Sequence, residues 1–301
     1  MRPWWRAFAA LLLPFAVPAV ITVALFALPG DPAELICPPQ RCVGTQALAE
    51  SWNLHRGPWA FYIDWMDAAF RGDLGNSWRV VQGTSVAKLV TTALPNTLGL
   101  VLLSMLGLFT GSLLGLVRGT VARLDVVWQV IGLAPAVMVA LTAAAWVELT
   151  YGALSYGGVA GLWRLGLGAA ALVLADGALA NAVTGTRQTF ESELTRRYIE
   201  VARLRGESVW ANALPNLLPA LARQWRARWL AVLSSLVVVE VVLRIEGLGE
   251  LLFVGTLQQD FGIVLAATWL FAVASAAALL LQAVVDAWTS RWIRRVPVGW
   301  S

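Results

Sequence analysis

Six apolar runs divide the chain, and each is close to the length that a helix needs to cross a bilayer. A transmembrane helix takes about 20 predominantly apolar residues. Hydrophobic residues make up 58% of the chain and charged residues 13%, whereas soluble domains average roughly 45–50% and about 25%. The chain is therefore predicted to be an all-α polytopic membrane protein, with no room for a separate catalytic domain. We place its spans at residues 7–28, 94–117, 125–147, 162–186, 229–243 and 263–288.

The first apolar run follows Arg2 and Arg6 and is interrupted only by Pro14 and Pro18. A cleaved signal peptide is the alternative, but its apolar region is typically about 7–15 residues long. This run is longer, and further spans follow it. We therefore interpret residues 1–30 as a retained first transmembrane helix that enters from the cytoplasm.

Residues 31–93 form the longest polar segment, which we expect to be extracytoplasmic. Within it, Trp59, Tyr62 and Phe70 recur at roughly helical spacing across residues 58–75. This pattern predicts an amphipathic helix at the membrane surface; packing against the chain's own transmembrane helices explains it equally well. Residues 84–93 are predicted to form a short helix leading into the second span.

The two cysteines, Cys37 and Cys42, lie in this extracytoplasmic segment. A local disulfide suits an oxidising compartment, and two unrelated free thiols are the alternative. A metal site is not expected, because His55 is the only histidine and a structural zinc needs four ligands.

The basic residues are distributed unevenly between the two sides of the predicted spans. Fifteen of the 22 lie at the two termini, between the second and third spans, or within residues 187–228. Since arginine and lysine are enriched in cytoplasmic loops, both termini and the 187–228 loop are predicted to be cytoplasmic. The net charge of +4 therefore reflects membrane topology and is no indication of nucleic-acid binding.

The chain lacks the residues that several chemistries require. Its one lysine, Lys88, is not preceded by the glycine of a phosphate-binding loop. Its one histidine is predicted to lie in an external loop, where it cannot form an intramembrane Ser–His dyad. The candidates for an intramembrane aspartyl dyad are Asp176, Glu240 and Asp286, and the last two lie near span ends. We therefore expect no catalysis and no cofactor bound by this chain, so energy for any work must come from a partner.

Residues 191–219 form a charged island between two apolar spans. A helix is predicted from Tyr198 to Arg205, ended by Gly206 and followed by a second helical piece, with Pro219 at the start of the next span. Small Ala202 and Gly206 would let another protein approach closely. We interpret the island as a docking surface; an ordinary solvated loop is the alternative.

This island resembles a pattern of ABC importer permease subunits: Glu-Ala-Ala, three residues, Gly, nine residues, then a short segment that ends in Leu-Pro. EVARLRG at 200–206 and NLLP at 216–219 carry it, with Val201 replacing the first alanine. GDPAE at 30–34, GDLGNSW at 72–78, VVVEVV at 237–242 and EGLGELL at 246–252 are similar to the dipeptide/oligopeptide/nickel branch. The resemblance covers nearly the whole chain.

The resemblance implies a type I permease fold of about six helices in the bacterial inner membrane, with a core domain over residues 94–301 and a coupling loop at 187–219. It implies a coupling helix that docks on a cytoplasmic ATPase, through Tyr198, Glu200, Ala202, Arg203, Arg205, Gly206 and Pro219. The implied partners are a second permease, one or two ATPase subunits that bind ATP and Mg, and an extracytoplasmic substrate-binding protein.

Three polar residues in the predicted spans are candidates for the translocation pathway. Asp176 and Asn181 lie in the fourth predicted span, where a carboxylate is costly; they line a pathway or bond to a neighbouring helix. Glu240 lies near the outer end of the fifth, as a gate or a packing residue. A second hypothesis for the whole chain is a membrane scaffold or sensor that retains the permease fold but does not transport.

Overall fold

The computed structural model describes residues 3–36, 45–116, 126–130, 132–152 and 158–295. Within these residues the regular elements are helical, apart from one isolated antiparallel bridge between Asn76 and Ser85. The named α-helices are α1 (Pro3–Ala27), α2 (Pro32–Ile36), α3 (Thr45–Ser51), α4 (Pro58–Phe70), α5 (Val86–Leu114), α6 (Ala136–Tyr151), α7 (Gly158–Leu174), α8 (Ala178–Leu194), α9 (Arg197–Leu204), α10 (Val209–Leu243), α11 (Leu248–Leu257) and α12 (Phe261–Arg295). The all-α prediction is confirmed.

Four helical stretches in the described residues are long and apolar enough to cross a membrane. They correspond to the first, second, fourth and sixth predicted spans: Ala7–Ala27, Val86–Leu114, Gly161–Leu194 and Phe261–Arg291. The apolar helices α6 and α11 are shorter, with 16 and 10 residues. Helix α10, which contains the fifth predicted span, has 35 residues and carries Arg228 and Glu240 within its apolar part.

Four sequence predictions were wrong in detail. The third span is not one helix, because the chain turns at residues 132–134 and α6 begins only at Ala136. The fourth is interrupted by a short 3-10 turn between α7 and α8. Residues 84–93 are not a separate helix, since α5 runs through Pro95. Finally, Pro219 does not begin a span, because Pro215 and Pro219 both lie inside the continuous α10.

Helices α1, α10 and α12 form one packed group, in which α12 contacts both of the others. Helix α5 packs instead on α7 and α8, and α10 also contacts α6, α7 and α8. One apolar core joins α5, α7 and α10 around Leu100, Leu172 and Leu236. A second core joins the segment between α1 and α5 to α11 and α12, around Phe61, Leu248 and Ile263. Helix α10 thus connects the two groups.

The amphipathic helix predicted around residue 60 is α4, and it packs against the chain's own helices. Phe61, Trp65 and Met66 are buried in the second core, and the Tyr62 hydroxyl donates to the Phe15 carbonyl of α1 at 3.0 Å. Trp59 on the opposite face is 64% exposed. One face of α4 therefore packs on the chain's own helices, as the second interpretation predicts. Trp59, on the other face, remains available to contact a membrane surface.

A buried carboxylate ties the segment between α1 and α5 to the loop before α12. Asp260, with no exposed surface, accepts hydrogen bonds from the Ser77 hydroxyl at 2.6 Å and from the backbone N–H groups of residues 78, 79 and 80 at 2.9–3.1 Å. Arg79 continues this junction by donating to the carbonyls of Leu35, Ile36 and Gln258. We call these contacts the outer clasp.

Replacing Asp260 with alanine is expected to loosen this clasp. The substitution leaves a buried hydroxyl and three amides without their acceptor, and each such group costs about 1–3 kcal/mol. We expect D260A to lower the thermal unfolding temperature of the detergent-solubilised protein and to expose residues 77–80 to protease.

The matched control is Asp67→Ala, which removes an exposed carboxylate that pairs with Arg71. Exposed pairs of this kind contribute about 0.3–0.5 kcal/mol, so D67A should unfold close to the wild-type temperature. Equal unfolding temperatures for D260A and D67A would contradict a stabilising role for the clasp.

Candidate functional site

Helix α9 forms at the position that the sequence predicted for the docking element. It ends as predicted at Gly206, which takes a left-handed φ of 71°. The Gly206 N–H donates to the Arg203 carbonyl at 3.1 Å and the Glu207 N–H to the Ala202 carbonyl at 2.9 Å. This pair of bonds is the Schellman arrangement, which suits glycine because the left-handed region carries a steric penalty for other residues.

One face of α9 packs on the neighbouring helices of the same chain. Ile199 is fully buried with Ala213 and Leu217 of α10, against Phe190 and Leu194 of α8. The Tyr198 hydroxyl donates to Glu193, and the Asn216 side-chain amide donates to the Tyr198 oxygen at 2.9 Å. Burial raises the pKa of Tyr198, and the bond to Glu193 raises it further, so the phenol stays a neutral donor at physiological pH.

The opposite face of α9 is open to solvent and mixes apolar with charged groups. Leu204 is 84% exposed, and Glu200, Val201, Arg203, Arg205 and Gly206 are exposed beside it. Ala202 does not belong to this face, because it is 3% exposed and points into the chain. Pro219 lies thirteen residues beyond Gly206, inside α10, so the structure does not place it on the exposed face of α9.

Asp176 sits at the break between α7 and α8 and not inside a continuous helix. It is exposed, with a left-handed φ of 52°, and Gly177 follows with a φ of 70°. The Asp176 N–H donates to the Ala134 carbonyl at 3.2 Å, so this break lies against the turn before α6. A β-carbon on Gly132 would come within 2.6 Å of the Gly177 α-carbon. Irregular backbone at membrane depth is tolerated where it is buried in protein or lines an aqueous cavity.

A cavity of about 340 Å³ opens beside this break, between α8 and α10. Its polar lining comprises Asp176, Asn181, Gln224, Arg228 and Ser235. The structure thus brings the two predicted pathway residues of the fourth span to one cavity. It adds Arg228, which charge counting had placed in the cytoplasmic loop; in the structure this residue is buried in α10.

Glu240 is at a different junction, near the C-terminal end of α10. Its fully buried carboxylate accepts from the Thr97 hydroxyl of α5 at 2.8 Å and from the Gly249 and Glu250 amides of α11 at 2.6 and 3.1 Å. The Leu248 amide donates to the Thr97 oxygen at 2.7 Å. These contacts join three helices, and we call them the outer junction.

The outer junction requires the second glycine of the EGLGELL motif, Gly249. A β-carbon on Gly249 would lie 2.7 Å from the Val237 α-carbon and 2.9 Å from a Glu240 carboxylate oxygen. Only glycine lets the start of α11 approach α10 this closely. Arg164 of α7 also meets the end of α10, donating to the Leu243 carbonyl at 2.9 Å, where a cation suits the helix dipole.

Sequence reasoning missed the helix breaks, although signals for them were present. Asp176-Gly177 is a turn dipeptide, and Gly132 with Pro135 marks the turn before α6. Both are embedded in apolar runs, which were read as uninterrupted spans. Cys37 and Cys42, proposed as a disulfide, lie outside the described residues.

Comparison with known proteins adds a family relationship. Residues 104–294 match the family described as binding-protein-dependent transport system inner membrane component. The chain is also 27% identical over 290 residues to the oligopeptide transport system permease protein AppB of Bacillus subtilis (strain 168), covering 88% of this chain and 91% of that protein.

The close approach of Gly132 to Gly177 can be tested by mutation. The test asks whether the turn before α6 packs against the break between α7 and α8. Gly132→Ala would force the turn before α6 away from Gly177, and overpacking of this kind costs typically about 1–3 kcal/mol. We expect a lower unfolding temperature and faster proteolysis near residue 176 than in the wild-type protein.

Gly166→Ala serves as the control, because a β-carbon there meets nothing within 4 Å. Alanine is favoured over glycine in a helix by roughly 0.5–1 kcal/mol, so this variant should be as stable as wild type or slightly more so. A G132A protein as stable as G166A would rule out the close contact.

Proposed function

Since the chain belongs to the family of binding-protein-dependent transport system inner membrane components, we propose that it is one of the two permease subunits of an ABC importer. We propose that the solute is a peptide or a similar small molecule, because the chain is similar over most of its length to an oligopeptide transport system permease. The observation that carries the proposal is the family match over residues 104–294, which includes α9 and all of α10.

In this proposal the chain contributes no catalytic group and binds no cofactor. ATP and Mg bind to separate cytoplasmic ATPase subunits, of one type or of two different types. A second permease subunit completes the translocation pathway. The exposed face of α9, with Leu204 at its end and arginines beside it, suits a groove on such a subunit. Its buried face, centred on Ile199, would pass the ATPase motion to α10.

The proposed topology has six crossings in the bacterial inner membrane, with both termini in the cytoplasm. Four are the long apolar stretches described above, and α10 and the shorter α6 provide the others. Helix α10 spans about 52 Å at 1.5 Å per residue, whereas the hydrocarbon core is about 30 Å thick. It is therefore long enough to cross the membrane and still reach α9 on the cytoplasmic side.

We propose that the segment between α1 and α5, together with the loops flanking α11, receives the substrate-binding protein. The outer clasp supports this proposal because it holds both parts together through Asp260 and Arg79. Movement of α9 would tilt α10, and the outer junction at Glu240 would follow. Rigid-body rocking of this kind would open the pathway alternately to each side.

The proposal is tested by replacing Gly206 in the complete transporter. Gly206→Val forces a left-handed turn on a branched side chain, which costs on the order of 1–2 kcal/mol although no atom lies within 4 Å of the new β-carbon. We expect the variant to insert normally but to lose most of the ATP turnover that a loaded binding protein stimulates, measured in proteoliposomes.

Gly152→Val is the matched control. Gly152 ends α6 with a φ of 86°, its N–H donates to the Glu148 carbonyl at 2.9 Å, and no atom lies within 4 Å of a new β-carbon. The strain is thus similar, but the position lies outside α9 and outside the segments proposed to receive the binding protein. Normal stimulated turnover in G206V would overturn the coupling assignment. A wild-type complex with no stimulated turnover would favour the scaffold or sensor hypothesis.

A further inference from the structure

The cavity between α8 and α10 carries a buried positive charge that no acidic side chain of the described residues neutralises. Arg228 is 6% exposed and forms no ion pair in that part of the chain. A charged group that is buried away from water is costly unless it is compensated. Its presence therefore requires a compensating group or a use.

The hydrogen-bond partners of Arg228 are all uncharged oxygens. Its guanidinium donates to the Ser112 hydroxyl at 2.9 Å, the Thr186 hydroxyl at 3.2 Å and the Gln224 side-chain carbonyl at 3.2 Å, and to the carbonyls of Asn181 and Ala182 at 3.1 and 3.4 Å. These bonds fix the guanidinium between α5, α8 and α10. They orient the group, and the centroid of the Trp225 ring lies 5.3 Å from the guanidinium carbon, but no carboxylate among the described residues pairs with it.

The rest of the cavity suits a small polar solute. Gln224 and Ser235 line the α10 side with Arg228, and Asp176 lies on the other wall at the exposed helix break. The volume of about 340 Å³ falls at the lower end of the roughly 300–1,000 Å³ found for ligand pockets. A cationic and an anionic group therefore line one cavity of a size suited to a short peptide.

We infer that this cavity recognises the two charged ends of the transported solute: its carboxylate at Arg228 and its ammonium group at Asp176. The inference rests on the proposed transport function, and it identifies the transported solutes as zwitterions. An arginine forms charge-assisted hydrogen bonds with a carboxylate, which are stronger than bonds between neutral groups. In this assignment the substrate supplies the negative charge that the described residues do not.

The experiment compares transport of a short peptide with transport of its C-terminal amide by the complete transporter in proteoliposomes. The binding protein is saturated with each peptide, so that differences arise in the permease and not in capture. A charge-assisted contact at a buried site favours a ligand that carries the charge over one that lacks it by about tenfold or more. Wild type should therefore transport the free acid about tenfold faster than the amide, and Arg228→Gln should bring this ratio close to one.

Arg223→Gln is the matched control, because Arg223 is an exposed arginine on the same helix; its acid-to-amide ratio should equal that of wild type. If R228Q does not assemble, Arg228→Lys decides the matter: it keeps the charge, so it should retain a preference for the acid. Loss of the preference in R228K would count against the assignment.

The other end of the solute is tested separately with Asp176→Asn, since asparagine tolerates the left-handed backbone of this position. Wild type should prefer a peptide with a free amino group over its N-acetyl form, and D176N should lose that preference. Equal transport of acid and amide by wild type, or an unchanged ratio in R228Q, would overturn the inference alone. A wild-type complex that transports neither peptide would overturn the proposed function itself.

Discussion

The packing of three helices depends on a buried carboxylate that has no basic partner among the described residues. Glu240 of α10 is satisfied by a hydroxyl from α5 and two amides from the start of α11, where the helix dipole favours a negative charge. Away from water these bonds have no competitor, so the cost of breaking them is large. This side chain fixes the start of α11 relative to α10 and α5.

The same solution recurs at two further buried charges in the described residues. Asp260 is held by amides and a hydroxyl, and Arg228 by carbonyls and hydroxyls. Neutral partners satisfy the hydrogen-bonding groups of these side chains without pairing them with another ion. Some salt bridges lie instead at exposed positions, such as Arg71 with Asp67, where they contribute little. Structural charges and surface charges thus follow different rules in this protein.

The sequence predicted the local features of this fold better than its long-range contacts. The end of α9 at Gly206 could be predicted because a glycine stop depends on a few neighbouring residues, and the apolar runs identified most of the helices. The helix breaks at Asp176 and Gly132 were missed because their turn signals are hidden in apolar sequence. The bonds of Asp260 to residues 77–80 join positions about 180 residues apart. No pattern in either segment predicts that the two segments are in contact. Arg228 was assigned to a loop because its charge was counted without knowing that α10 is continuous.

Helix α10 connects three fixed points along its length. Leu217 contacts the α9 cluster, Arg228 is held between α5 and α8, and Glu240 belongs to the outer junction. At 1.5 Å per residue, Leu217 and Glu240 lie about 16 and 18 Å on either side of Arg228. Arg228 is therefore close to the midpoint between Leu217 and Glu240 along the helix. A tilt of about 10° around it would move both ends by about 3 Å in opposite directions, so the helix would reverse the direction of a displacement while conserving its size.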